Sequence, residues 1–436
     1  MQNRTLLEQL FSNLVSEADT LEFKSSPTAF SRNRKLPLKS LITLILHLSN
    51  KGNGDSVASN LTDFLESIGS NTTIDRAAIT RSRNKLSYKY FDFLFKKLIN
   101  TLKIYEKDEP RYQWHGFNLI GIDGSKVNLP ATPEIRKYFD PKSGLRDGSG
   151  HYPQCLVSTA YDLIREAPVA RTVTPINGCE RKESFKMIEN IPSNSLALFD
   201  RGYLSFELLD TFREKFTGEL LLRCPGSSTF NEIIKFMKSN KNEDVITINP
   251  PTKYRQKHKK RVIKPITVRI IRMTNPGCED SPIITTLMDK IEYPASKLAK
   301  LYWKRWGSET GYRHEKSSGK IENWHSKTVN GVLQELFAFP IIHALSGLMV
   351  RSSRKTRKNR MAKPVTKEVL KRTKKIISLF ANYKKERLYK WLGKLITAIN
   401  NYLYYPPKVK RKPNQRISMQ PKNRFKTNRL KKCKNA

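Results

Sequence analysis

The residues of this sequence whose types and spacing could do chemistry begin with four in one stretch. In KLAKLYWKRWGSETGYRHEK at 297–316, Tyr302, Arg305, Glu309 and Lys316 fall at offsets 0, 3, 7 and 14. At roughly 100° per helical residue, these offsets share an arc of about 60°. One helix face would then carry a carboxylate flanked by an aromatic hydroxyl, a guanidinium and an ammonium. A rise of ~1.5 Å per residue sets Lys316 about 10 Å beyond Glu309, so the four suit a polyanion lying along the helix rather than a single gripped atom. Spacing alone equally allows a solvated helix face with an incidental Glu among basic residues.

Two further acids stand in a shared context. Asp123 ends the apolar run of FNLIGIDGS and Asp200 ends that of SLALFDRGYL, and Gly124 and Gly202 follow closely. Each carboxylate is expected to emerge at a strand end. Carboxylates held together repel unless a divalent cation sits between them. Phosphodiester chemistry gives a reason to hold them so: two Mg²⁺ ions ~3.5–4 Å apart can serve both the attacking and the leaving oxygen of an in-line displacement. Taken singly, Asp123 could merely open a turn and Asp200 pair with Arg201; jointly with Glu309 and its basic flank, a metal-holding set is the stronger expectation. His151, His314, His325 and His343 receive no role, since two-metal phosphoryl transfer needs no general base.

The elements that must position these residues read as an α/β fold with helical flanks. Residues 1–110 are helical: Leu6, Leu7, Leu10, Phe11 and Leu14, and then Leu41, Leu44 and Leu48, recur at helical spacing, and a segment at 57–68 ends at Gly69. At 74–105, Arg81, Arg83 and Lys85 beside Thr80 and Ser82 suit a helix presented to DNA, whereas Phe91, Leu94, Phe95 and Leu98 form a core face. From 115 the period changes. Strands are expected at 117–129, 154–163, 167–176, 195–204 and 219–225, with helices at 181–190 and 206–216. Strands at 245–249, 264–273 and 283–289 surround a basic hairpin or loop, KYRQKHKKR, and make 226–290 a β-rich insertion ahead of the Glu309 helix. A packed apolar helix follows at 322–350. The organisation expected is a helical N-terminal DNA-binding domain (1–110), a catalytic domain (111–350) and a basic helical C-terminal region with a disordered tail from 406 (351–436).

The 436 residues include 81 Lys and Arg against 39 Asp and Glu, a net charge of +42. Such a surplus points to a polyanionic partner, nucleic acid first. Residues 351–436 hold 29 Lys and Arg against only Glu368 and Glu386, so the acids belong to the body of the chain. No uninterrupted apolar run reaches the ~18–20 residues of a membrane span, and the start lacks an apolar leader core, so an intracellular protein is expected. The five cysteines form no CxxC pair and indicate neither a disulfide framework nor zinc.

In their order and spacing these motifs resemble a DDE transposase of the bacterial insertion-sequence type, the IS-four-like group with the signature Y-x2-R-x3-E-x6-K. Tyr302, Arg305, Glu309 and Lys316 fit the signature without a gap, GIDGS at 121–125 resembles the strand of the first Asp, and FDRGY at 199–203 the motif of the second. The likeness covers about 75–350. It implies an RNase H-like mixed sheet with the insertion before the Glu helix. It implies cut-and-paste chemistry on double-stranded DNA, in which element ends are nicked, a hairpin forms and reopens, and 3′-hydroxyls attack target DNA. It assigns Asp123, Asp200 and Glu309 to catalysis and to two Mg²⁺ ions (Mn²⁺ able to substitute), and Tyr302, Arg305 and Lys316 to DNA phosphates; the working form would be a homodimer on paired terminal inverted repeats. One departure concerns a base-holding Trp in the insertion of the best-understood relatives: 204–296 contains none here; Trp303 or Trp306 beside the signature could substitute, although a core position is the stronger expectation for each. The alternatives from other classes are a non-catalytic nucleic-acid-binding protein derived from a transposase, and an RNase H-like nuclease without strand transfer.

Overall fold

The computed structural model describes residues 18–353 apart from 33–34, 50–56, 72, 106–109, 144–150, 226–229 and 275–279, together with scattered positions between 356 and 404. The expected helix around Leu6–Leu14 and the tail from 406 lie outside the described residues.

Among the described residues, a 3₁₀ turn (Ala18–Phe23) is followed by four α-helices: α1 (Leu38–Ser49), α2 (Val57–Ser67), α3 (Arg76–Arg83) and α4 (Lys89–Tyr105). The leucines of α1 and the Phe91, Leu94, Phe95 and Leu98 face of α4 are buried, as their spacing requires. After α2 the chain turns at Gly69 with φ +67, a left-handed conformation that glycine adopts without strain. The helices do not pack among themselves alone. Their core is continuous with that of the last long helix and with Val127, Ile135, Phe139 and Val157 from the following sheet region.

An eight-stranded mixed sheet forms the centre. Its strands are β1 (Asn118–Asn128), β2 (Gln154–Asp162), β3 (Ala167–Pro175), β4 (Ser195–Phe199), β5 (Glu219–Arg223), β6 (Glu243–Ile248), β7 (Ile266–Met273) and β8 (Ser281–Thr285), in the order β3-β2-β1-β4-β5-β8-β7-β6. β1, β2 and β3 are a meander, whereas β4 lies parallel to β1 and β5 parallel to β4. The strands of the insertion therefore extend the same sheet, through antiparallel β8, β7 and β6. Between them lie α5 (Pro133–Phe139), α6 (Glu180–Met187), α7 (Phe206–Lys215), α8 (Asn231–Lys238) and α9 (Thr252–Lys257). The KYRQKHKKR segment lies in the connection between the antiparallel pair β6 and β7, as expected, and begins as the short helix α9.

Period-two alternation divides the central strands between two cores. Ile120, Ile122, Ala197, Phe199, Leu220 and Leu222 pack with α7 on one face. Leu119, Leu196, Leu198 and Leu221 pack on the other with Leu298, Leu301 and Tyr302 of α10 (Ala295–Tyr302). From α10 the chain passes through a 3₁₀ turn (Trp303–Arg305), α11 (Trp306–Arg313) and a π turn (His314–Ser318). The single even helix expected at 297–316 is thus tightened once and loosened once. Helix α12 (Val329–Ser353) follows; its stretch Val329–Arg351 is long and apolar enough to cross a membrane, yet it is buried along its length and runs through the centre of the helical layer.

Candidate active site

The β1–β4 ladder ends at the pair Ile122–Phe199, and Asp123 and Asp200 are the next residues on each strand. Neighbouring strands lie about 4.8 Å apart, so the fold itself sets these two carboxylates side by side. Both follow residues of the α7 face and hence turn toward the opposite face, where α10 and α11 pack. Asp123 does not stand at a strand end, as expected: β1 continues to Asn128, and it is β4 that stops. What opens the sheet here is the shorter neighbour.

Glu309 arrives from α11, which packs on β1 and β2 with little clearance. A Cβ on Gly311 would come to 3.0 Å from the Tyr161 ring, and one on Gly307 to 3.1 Å from Leu163. Two glycines thus let the helix lie close enough for the charge of Glu309 to act on Asp123.

Arg305 joins the set. Its Nη2 donates to Glu309 Oε1 at 2.8 Å, its Nη1 lies 3.5 Å from Asp123 Oδ2, and the charge of Asp200 also acts on it. The guanidinium is buried (5% exposed), whereas the Glu309 side chain is 43% exposed. Tyr302, 1% exposed, directs its hydroxyl to Phe199 O at 3.3 Å and to Asp200 Oδ1 at 3.4 Å. Tyr302 and Arg305 therefore face the carboxylates from beneath. Lys316 stands apart: the π turn carries it to the Lys126 carbonyl, which its ammonium meets at 2.6 Å on the surface of β1.

Burial raises the pKa of Asp123 to about 6; Arg305 pulls against that rise without cancelling it, and Glu180 and Glu309 add to it. Among the described residues no three His, Cys, Asp or Glu side chains stand close enough to hold one ion together, and Arg305 occupies the space between Asp123 and Glu309. The donor chemistry nonetheless fits a hard cation. The groups are all carboxylates, the hard oxygen donors such a cation takes, and Asp123 is only half-buried, so its charge stays open to a cation from solvent.

Beneath the site lies a second, fully packed polar layer. The Tyr312 hydroxyl lies 2.8 Å from the Asp123 carbonyl and 3.0 Å from that of Val157. Glu315, in the π turn, pairs with Arg171 of β3 and stands 3.5 Å from His343 Nδ1. Burial pushes Glu315 upward, but Arg171 and His343 outweigh it and hold its pKa below the ordinary carboxylate range.

Two further sequence expectations change. Arg83, expected toward DNA, is buried: it pairs with Glu335 at 3.0 Å and donates to Gln334 and the Gly331 carbonyl, all on α12. Arg81 of the same helix remains exposed. Trp303 and Trp306, expected in the core, are 40% and 52% exposed, with ring centroids 6.4 Å apart; the 3₁₀ turn rotates them off the packed face. Glu180, at the first position of α6, belongs to no motif that the sequence marks.

A mixed sheet that begins as an antiparallel meander and continues with two parallel strands, with acids at adjacent strand positions and a third on a following helix, defines the RNase H-like class. Within that class the chain belongs to the family described as Transposase DDE domain, whose family model matches residues 114–345. It is 24% identical over 315 residues to the Transposase InsG for insertion sequence element IS4 of Escherichia coli (strain K12), a match covering 71% of this chain and 66% of InsG. InsZ of the same bacterium is 28% identical over 142 residues, 32% of this chain and 46% of its own. The chain thus matches just under two thirds of InsG and under half of InsZ. Among solved structures, the piggyBac transposase synaptic complex with hairpin DNA aligns over 95% of this chain and 87% of its own at a TM-score of 0.40 and 11% identity.

Proposed function

We propose that the protein is a DNA transposase that cleaves the ends of its element and joins them to target DNA by a cut-and-paste route. The observation that carries this reading is the gathering of Asp123, Asp200 and Glu309 about one buried guanidinium at the open end of the β1–β4 ladder, in a chain of the Transposase DDE domain family.

Asp123, Asp200 and Glu309 are the residues that would hold Mg²⁺, with Mn²⁺ able to substitute. When bound, the metal would activate the attacking hydroxyl and steady the leaving oxygen of a phosphodiester. Tyr302 orients Asp200 through its hydroxyl. Arg305 keeps the acids gathered and presents a fork matched to a phosphate. Lys316, exposed on the flank, offers a point charge to the backbone of bound DNA. The net charge of +42 provides the long-range attraction for double-stranded DNA, the proposed substrate as both element ends and target. The proposed working assembly is a homodimer holding two ends.

The test uses a linear duplex carrying the terminal inverted repeats that flank the gene, and a supercoiled target plasmid. Mg²⁺-dependent nicking at the repeat ends followed by joined products is the expected outcome. Salt-sensitive binding without metal-dependent cutting would replace this reading with a binding protein; cutting without joined products would reduce it to a nuclease.

A further inference from the structure

We propose that Glu180 is a fourth carboxylate of the cation-holding centre, reaching it from the face of the sheet opposite Glu309. The inference rests on the preceding assignment of Asp123, Asp200 and Glu309, and adds a ligating or water-holding group that the signature motifs do not contain.

Three independent features bring Glu180 to this point. It opens α6, which follows β3 and packs against β1 and β2 on the face that also carries Ile122. Gly124 is the β1 residue beneath it: a Cβ there would lie 2.5 Å from the Glu180 carboxyl carbon and 2.7 Å from Oε1. The missing side chain next to Asp123 is therefore the space into which the Glu180 carboxylate fits. Its charge acts on Asp123, and that of Asp200 acts on it. Finally, the Tyr203 hydroxyl, on a residue only 2% exposed, faces Glu180, whose pKa it pulls down against burial, and Asp123, without reaching full hydrogen-bonding geometry to a partner among the described residues.

A carboxylate at the first turn of a helix also complements the helix dipole. That duty needs only charge near the helix end, and it would be indifferent to what stands at position 124. Lys126, on the strand below, supplies a partial counter-charge. Neither explains why the carboxyl group is packed into the place of a β1 side chain next to Asp123 in the chain. A hard cation shared by acids from β1, β4 and two helices on opposite faces accounts for all three features.

The experiment titrates Mn²⁺ into the full-length protein without DNA and follows free Mn²⁺ by electron paramagnetic resonance, with the metal-free Tm recorded for every variant. Glu180→Gln is expected to weaken Mn²⁺ binding about tenfold at an unchanged metal-free Tm. Gly124→Ala, which leaves every carboxylate in the chain, is expected to weaken it as well, but to add nothing in the Glu180→Gln background. Glu180→Asp is expected to restore part of the affinity. Asp123→Asn serves as the reference and is expected to remove most binding. If Asp123→Asn loses binding while Glu180→Gln and Gly124→Ala bind like the wild type, the role of Glu180 is overturned and the three-acid centre stands. If Asp123→Asn itself binds like the wild type, the centre and this inference fall together. A lowered Tm in Glu180→Gln with unchanged Mn²⁺ affinity would leave only the helix-dipole role, against the proposal.

Discussion

Asp123 and Asp200 occupy adjacent positions on neighbouring parallel strands, each one residue beyond the Ile122–Phe199 pair. No loop needs to close to bring them together; the register of β1 and β4 does so. Asp123→Asn, Asp200→Asn and Glu309→Gln are each expected to lower end cleavage by about 100-fold or more, while binding of end DNA stays near the wild-type level. Gel assays of cleavage and binding on one duplex check this; near-normal cutting by any one variant would remove that residue from the centre.

Arg305 is the positive charge around which the acids stand, and removing it leaves the half-buried Asp123 and the more exposed Glu309 without that partner. Arg305→Ala is expected to cost about 2 kcal/mol of stability and to impair cleavage. Arg305→Lys should recover the stability better than the cleavage, because an ammonium cannot reproduce the two-pronged contact to Asp123 and Glu309. Thermal unfolding together with cleavage assays separates the two effects.

Tyr302→Phe deletes only the hydroxyl between the Phe199 carbonyl and Asp200. Stability should fall by about 1 kcal/mol, and cleavage should fall while the KM for DNA is unchanged. A raised KM at constant kcat would instead make Tyr302 a DNA contact.

Arg83 and Arg81 lie two residues apart on α3 and should behave oppositely. Arg83→Ala takes the guanidinium away from the buried Glu335, which keeps its contact with the His325 backbone, and is expected to cost about 3 kcal/mol. Arg81→Ala, on the exposed face, should leave Tm unchanged and, where this helix meets DNA, reduce the salt dependence of binding by about one phosphate contact. A mild Arg83→Ala phenotype would contradict the buried pairing.

Glu315 gives the stability a pH signature. Its folded pKa lies below the unfolded value of about 4.5, so its ionisation stabilises the fold above that pH. The contribution is lost as pH falls through the folded pKa. Wild-type Tm should therefore drop on acidification below about pH 4.5 more steeply than that of Glu315→Gln, which lacks the titrating group and starts from a lower Tm at neutral pH. Parallel curves would exclude Glu315 as a source of the acid sensitivity.

Much of this protein was legible from residue types and periods. Apolar runs ending in acids located β1 and β4, the Tyr302–Lys316 spacing marked a helical segment beside them, and the burial of Phe91, Leu94, Phe95 and Leu98 followed from their spacing alone. Periodicity says which side chains share a face; it does not say what that face meets. Only the tertiary structure turned Arg83 inward onto α12, rotated Trp303 and Trp306 outward through the 3₁₀ turn, and drew Lys316 aside through the π turn. It alone brought Glu180 over Gly124, because two residues 56 positions apart become neighbours only when β1 and α6 pack. The local chain decides where charges are available, and the long-range packing of sheet against helix decides which of them share one low-dielectric space.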